Sequence, residues 1–131
     1  MPTFLFQKLV RDNIKAMHEA HGHEVHSKIL NKQDLQKALF VKLHEEADEV
    51  ASAVTRQELL NELADMYQIL DEIRENAEIG MEEVRTVQDA EVIRRGGFRT
   101  GLYIEKVFMP DEDNKWVIYC RERPEKYPEV K

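Results

Sequence analysis

A single cysteine, Cys120, stands in a chain of 131 residues. No intrachain disulfide can form, a catalytic thiol is not expected, and the usage fits a reducing compartment, so the cytoplasm is the expected location. No apolar run approaches the roughly 18 residues that a membrane-spanning helix needs. The apolar stretch within Met1 to Val10 is also too short for a signal peptide. Positive charge is in deficit: 19 Lys and Arg face 26 Asp and Glu, a formal net charge of −7. That balance disfavours generic binding to nucleic acid or to an anionic membrane surface. An acidic protein still binds phosphate-rich ligands where metal ions stand between the two.

What is present is a 42% hydrophobic and 34% charged composition, which fits a soluble, helix-rich globular protein. The length suits one domain, 1–131, with a modest core. Asp12 is an N-cap candidate for a first helix that carries Ile14 and Met17 and ends near Gly22. Asn31 caps a second helix, from about Lys32 to Val54. Thr55-Arg56-Gln57-Glu58 reads as a capping box, opening a third helix from about Arg56 to Ala77 or Glu78 that stops at Gly80. Met81 to Arg95 reads as a fourth, with Val84, Val87 and Ile93 inward and Gly96-Gly97 at its end. The expected fold is therefore all-α, an antiparallel helical bundle of about four helices.

Beyond Gly97 the composition turns β-branched and aromatic. Leu102 to Phe108, the turn cluster Pro110-Asp111-Glu112-Asp113-Asn114, and Trp116 to Cys120 predict a C-terminal β-hairpin over about 102–121. A lone hairpin is marginal in water, so it is expected to dock on the bundle or on a second subunit. Residues 122–131, with two prolines and many charges, are expected to fray.

Chemistry concentrates between Leu43 and Met66. Leu35, Leu39, Leu43, Val50 and Val54 form one stripe at helical spacing. Glu46 falls inside that stripe, with Glu49 at its edge. Leu59, Leu63, Met66, Leu70 and Ile73 form the stripe of the next helix, with Glu62 inside it and Asp65 at its edge. The two segments match at an offset of sixteen positions, pairing Glu46 with Glu62 and Glu49 with Asp65. The short turn between the helices makes them antiparallel. At 1.5 Å per residue, Glu49 lies about 8 Å before the turn and Glu62 about 10 Å after it, so the four acids share one height. Carboxylates converging in a half-buried place repel unless a cation separates them. Hard oxygen donors of this kind suit Mg²⁺ or Mn²⁺. Glu45, Asp48, Glu58, Asp71 and Glu72 read as solvated surface charges.

Lys8 and Arg11 precede the first helix, where they can hold an anion with help from its N-terminus. His18, His21, His23 and His26 form a loose group around Gly22, with no cysteine and no zinc-site spacing, so no functional metal site is expected there. His44-Glu45 begins like H-E-x-x-H, but Asp48 stands where the second histidine belongs.

Four blocks occur in order: Lys8-Leu9-Val10-Arg11-Asp12, the E-E-x-x-E of 45–49, the E-x-x-D of 62–65, and Arg95-Gly96-Gly97-Phe98-x-x-Gly101. Together they resemble the all-α nucleoside triphosphate pyrophosphohydrolases, the MazG-like superfamily, in its phosphoribosyl-ATP pyrophosphohydrolase-like branch. The resemblance covers about residues 7–104. It implies a Mg²⁺-dependent enzyme that cleaves a nucleoside triphosphate between the α- and β-phosphates, giving a monophosphate and pyrophosphate. It also implies a homo-oligomer, a dimer or tetramer. Under it Glu46, Glu49, Glu62 and Asp65 are metal ligands, and Glu45 is a catalytic residue that orients water or a neighbouring group. Lys8 and Arg11 contact phosphate, and Arg95 shapes the substrate site or an interface. Two departures stand out. Asn13-Ile14-Lys15 replaces the Lys-Ile-Pro that continues the N-terminal block, and Glu91 replaces a lysine before R-G-G-F. For that reason a general or damaged-nucleotide hydrolase ranks above phosphoribosyl-ATP hydrolysis. A non-catalytic helical interaction module is the alternative outside enzymes.

Overall fold

A computed structural model describes residues 1–131. It holds five α-helices and no strand: α1 Ile14–Ala20, α2 Lys32–Ser52, α3 Arg56–Asn76, α4 Met81–Arg95 and α5 Lys115–Arg121. The chain divides into two compact units, Met1–Glu91 and Val92–Lys131. No helix is long and apolar enough to cross a membrane.

The centre of the first unit is the α2–α3 hairpin, the pair of helices that packs most extensively. Its ends are set locally. The Asn31 side chain accepts from the Asp34 amide at 2.8 Å and starts α2. The Thr55 hydroxyl accepts from the Glu58 amide at 3.1 Å, while Glu58 reaches back to the amides of Val54 and Thr55. This capping box turns the chain between Ser52 and Arg56 and forces the antiparallel return. At the open end Asn76 Nδ2 donates to Gln36 Oε1 at 2.7 Å and to the Lys32 carbonyl at 3.0 Å, and Lys32 pairs with Glu78 at 3.3 Å. Leu39, 2% exposed, is the buried apolar centre of α2. Thr55→Ala should lower stability by about 1 kcal/mol, the usual cost of losing an N-cap side chain. A denaturant midpoint unchanged from the parent chain would contradict that role.

Four expectations need correction. The α1 N-cap position is taken by Asn13, without a side-chain cap bond, and not by Asp12. α3 ends at Asn76 because Glu78, not Gly80, takes the left-handed conformation (φ 59°) that lets the Ile79 amide bond back to the Arg74 carbonyl. α4 forms over the expected residues, yet Val84, Val87 and Ile93 are 40%, 65% and 87% exposed. Helical spacing put them on faces, but no element within the chain buries those faces. The apolar side of α3 is likewise half open at Leu59, Leu63 and Leu70.

The fourth concerns the second unit, where no β-hairpin forms. Residues 102–110 have no regular structure, and Trp116 to Cys120 lie in α5. The Asn114 side chain accepts from the Trp116 amide at 2.8 Å and nucleates that helix. Helical spacing then brings Trp116 edge-on to Tyr119, with ring centroids 6.1 Å apart. Val117 is buried and Cys120, three positions on, half-buried. These i, i+3 contacts reward a helix, whereas a strand here has no sheet to join. Arg121 binds Glu112 at 3.1 Å and Glu129 at 2.7 Å, and the Tyr127 amide donates to the Arg123 carbonyl at 2.9 Å.

A carboxylate cage between α2 and α3

The antiparallel register brings four acids together. Carboxylate oxygens of Glu46 and Glu49 from α2, and of Glu62 and Asp65 from α3, all lie within 4.8 Å of one another. Glu46 is 7% exposed, Glu62 and Asp65 are half-buried, and Glu49 is open to solvent. The cage therefore has a closed floor and an open mouth. Glu46 Oε2 and Glu62 Oε2 are buried without any hydrogen-bond donor. A buried carboxylate oxygen with no donor is unfavourable, and here two of them face the same space.

The electrostatics follow. The Glu46 carboxyl is pushed up to about 7, chiefly by burial, then by the charge of Glu49, a hydrogen bond with Glu49 and the charge of Asp65. Lys42 opposes this rise. The Glu62 carboxyl is raised as well, first by its hydrogen bond with Glu49, then by burial and by the charges of Glu49, Asp65 and Glu58. Two carboxylates can share a hydrogen bond only when one carries a proton. In the absence of a cation, the cage thus relieves its repulsion by taking up protons.

Two cations meet the cage from outside. Arg11 Nη2 binds Asp65 Oδ1 at 2.7 Å, across 54 residues of chain. Lys42, largely shielded from solvent, holds Glu45 at 3.3 Å. With Glu45 counted, two positive charges face five carboxylates, which leaves an excess of negative charge. The donors are all oxygens, two of them orphaned and buried, and the mouth is open. This set fits a hard divalent cation such as Mg²⁺ or Mn²⁺.

The other sequence-derived residues are not among the four. Glu45 points its carboxylate at Lys42 and is outside the four. Lys8 lies exposed at a bend before α1. Arg95 is the last residue of α4, in the second unit. The residue that sequence reading missed is Lys42. Its spacing to Glu45 (i, i+3) and Glu46 (i, i+4) was the available signal. The Arg11–Asp65 pair has no such local signature. Comparison with family models, with curated proteins and with solved structures finds no match to this chain.

Proposed function

We propose that the chain is a Mg²⁺-dependent nucleoside triphosphate pyrophosphohydrolase, splitting the α–β phosphate bond to release a nucleoside monophosphate and pyrophosphate. The observation that carries this reading is the cage itself: four carboxylates within 4.8 Å, two of them with orphaned buried oxygens. The resemblance of the four sequence blocks adds the reaction class. Glu46, Glu49, Glu62 and Asp65 would hold Mg²⁺, or Mn²⁺ in its place. When bound, such an ion supplies charge neutralisation and Lewis acidity toward phosphate oxygens.

The chain's own residues supply the rest. Arg11 sits at the rim of the cage, bound to Asp65, where its guanidinium can exchange a carboxylate for a phosphate oxygen. Lys8, three residues earlier and exposed, offers a second charge to the leaving pyrophosphate. Glu45 fixes Lys42 near Glu46, so its catalytic contribution is that of a positioning residue. Arg95 belongs to substrate binding on the strength of the resemblance alone. The test is a pyrophosphate-release screen across ordinary, deoxy and modified triphosphates with Mg²⁺. Release from at least one, abolished by chelation, is the expected result. Silence across the panel favours the interaction module.

The same reading includes self-association. Leu60, Tyr67, Val84 and Val87 are among the large apolar side chains left open. An apolar surface left open in this way is the kind that a second copy covers. Light scattering on the purified chain should give a dimer or tetramer. A monomer at micromolar concentration would overturn this part of the proposal.

A further inference from the structure

The two cations beside the cage are not alike. Lys42 contacts Glu45, which is outside the four acids. Arg11 contacts one of the four: its Nη2 donates to Asp65 Oδ1 at 2.7 Å. Its backbone is held where α1 begins, because the Arg11 carbonyl accepts from the Ile14 amide at 3.1 Å. The side chain therefore reaches from the segment before α1 to α3, across 54 residues of chain. Glu46 and Glu62 each have an oxygen that is buried without a donor. Asp65 differs in having a guanidinium for a partner.

This contact and a bound divalent ion make opposing demands on Asp65. Oxygens about 2.1 Å from one octahedral Mg²⁺ stand about 3 Å apart in neighbouring positions and about 4.2 Å apart in opposite ones. The cage oxygens lie within 4.8 Å of one another, a looser set, so the carboxylates close inward when an ion is held. Asp65 has the shortest side chain of the four and the least reach. A guanidinium and a divalent ion on one carboxylate are also like charges close together, and they repel. The Arg11–Asp65 pair is the weaker contestant. Its side chains are 62% and 41% exposed, and exposed pairs hold weakly.

We propose that Arg11 is a latch on the cage. Its guanidinium occupies Asp65 while the cage is without a divalent ion and leaves Asp65 when one enters. The freed guanidinium is then available to phosphate, whose oxygens suit its planar donors as a carboxylate does. While Arg11 is engaged with Asp65, that phosphate contact is closed. The latch rests on the metal-dependent reading above and adds an order to it: the cation site fills first, and the anion contact opens in consequence.

The full chain titrated with Mg²⁺ in the absence of nucleotide, followed by calorimetry and by the NMR signals of its arginine side chains, tests the latch. The Arg11 Nε–H signal, identified by its absence from Arg11→Gln, should move with Mg²⁺ to the position it holds in Asp65→Asn, where the latch cannot close. Arg11→Gln should bind Mg²⁺ more tightly, by up to about fivefold, the most that an exposed ion pair holds back. Lys15→Gln, which removes a cation paired with Glu19 instead, should bind as the parent does. An equal gain in that variant would reduce the effect to diffuse charge and overturn the latch. Unchanged or weaker binding by Arg11→Gln would also overturn it, weaker binding making Arg11 a support that orients Asp65 for the ion. So would an Arg11 signal that stays in place at saturating Mg²⁺. In each of those results the cage still binds its ion, and the function proposed for it stands. No Mg²⁺ binding by the parent chain would remove the latch and that reading together.

Discussion

Glu46→Gln should abolish pyrophosphate release while the chain folds as before. The exchange keeps the shape of the side chain and removes the most deeply buried oxygen charge of the cage, at the residue that is 7% exposed. Losing one preorganised group that stabilises transition-state charge costs on the order of 10²–10³-fold in turnover, and a lost metal ligand should cost at least that. Without a divalent ion the folded state should not suffer, because the variant no longer buries a carboxylate among Glu49, Glu62 and Asp65. Asp65→Asn should behave similarly in turnover. Its lost pair with Arg11 is exposed on both sides and contributes little to stability. Full turnover of Glu46→Gln in Mg²⁺ would refute the role given to this residue. The split between lost activity and intact melting also separates a site residue from a core residue.

The second large effect is a pH dependence that Mg²⁺ reverses. The Glu46 carboxyl titrates near 7 in the folded chain, against an ordinary value of 4.5. Between those values the folded chain holds a proton that the unfolded chain has already released. Stability is therefore undiminished below about pH 4.5 and falls as pH rises through about 7. By linkage the loss from this group is roughly 3 kcal/mol. Glu62, also raised, acts in the same direction. A divalent ion bound to the ionised cage offsets this penalty, by about 2.7 kcal/mol in total at 100 times its Kd. Melting curves from pH 5 to pH 8 should slope downward without metal and flatten or rise with Mg²⁺. A downward slope that Glu46→Gln retains in full would assign it to other groups.

The carboxylate cage was legible because two local signals combine. Helical periodicity puts Glu46 and Glu62 on core-facing stripes, and the Thr55–Glu58 box leaves the second helix no direction but back along the first. Neither needs knowledge of distant contacts. Helix α4 was legible for the same reason, with Glu82 and Glu83 in its first turn and Arg94 and Arg95 in its last. Its inward face was not, since no helix of this chain covers Val84 and Val87. Around Trp116 the composition misled. An aromatic, β-branched run of five residues satisfies strand and helix templates equally, and the deciding features were the Asn114 cap and the Trp116–Tyr119 spacing. The Arg11–Asp65 pair ties the segment before α1 to α3 across 54 residues of chain, and no pattern within either segment announces it.

Everything rests on whether the space between Glu46, Glu49, Glu62 and Asp65 takes a divalent ion. Crystals grown with Mn²⁺, with diffraction recorded at the manganese absorption edge, test this most directly. An anomalous peak bounded by carboxylate oxygens of all four residues is the predicted result. No peak there, with the four side chains turned apart into solvent, would contradict it.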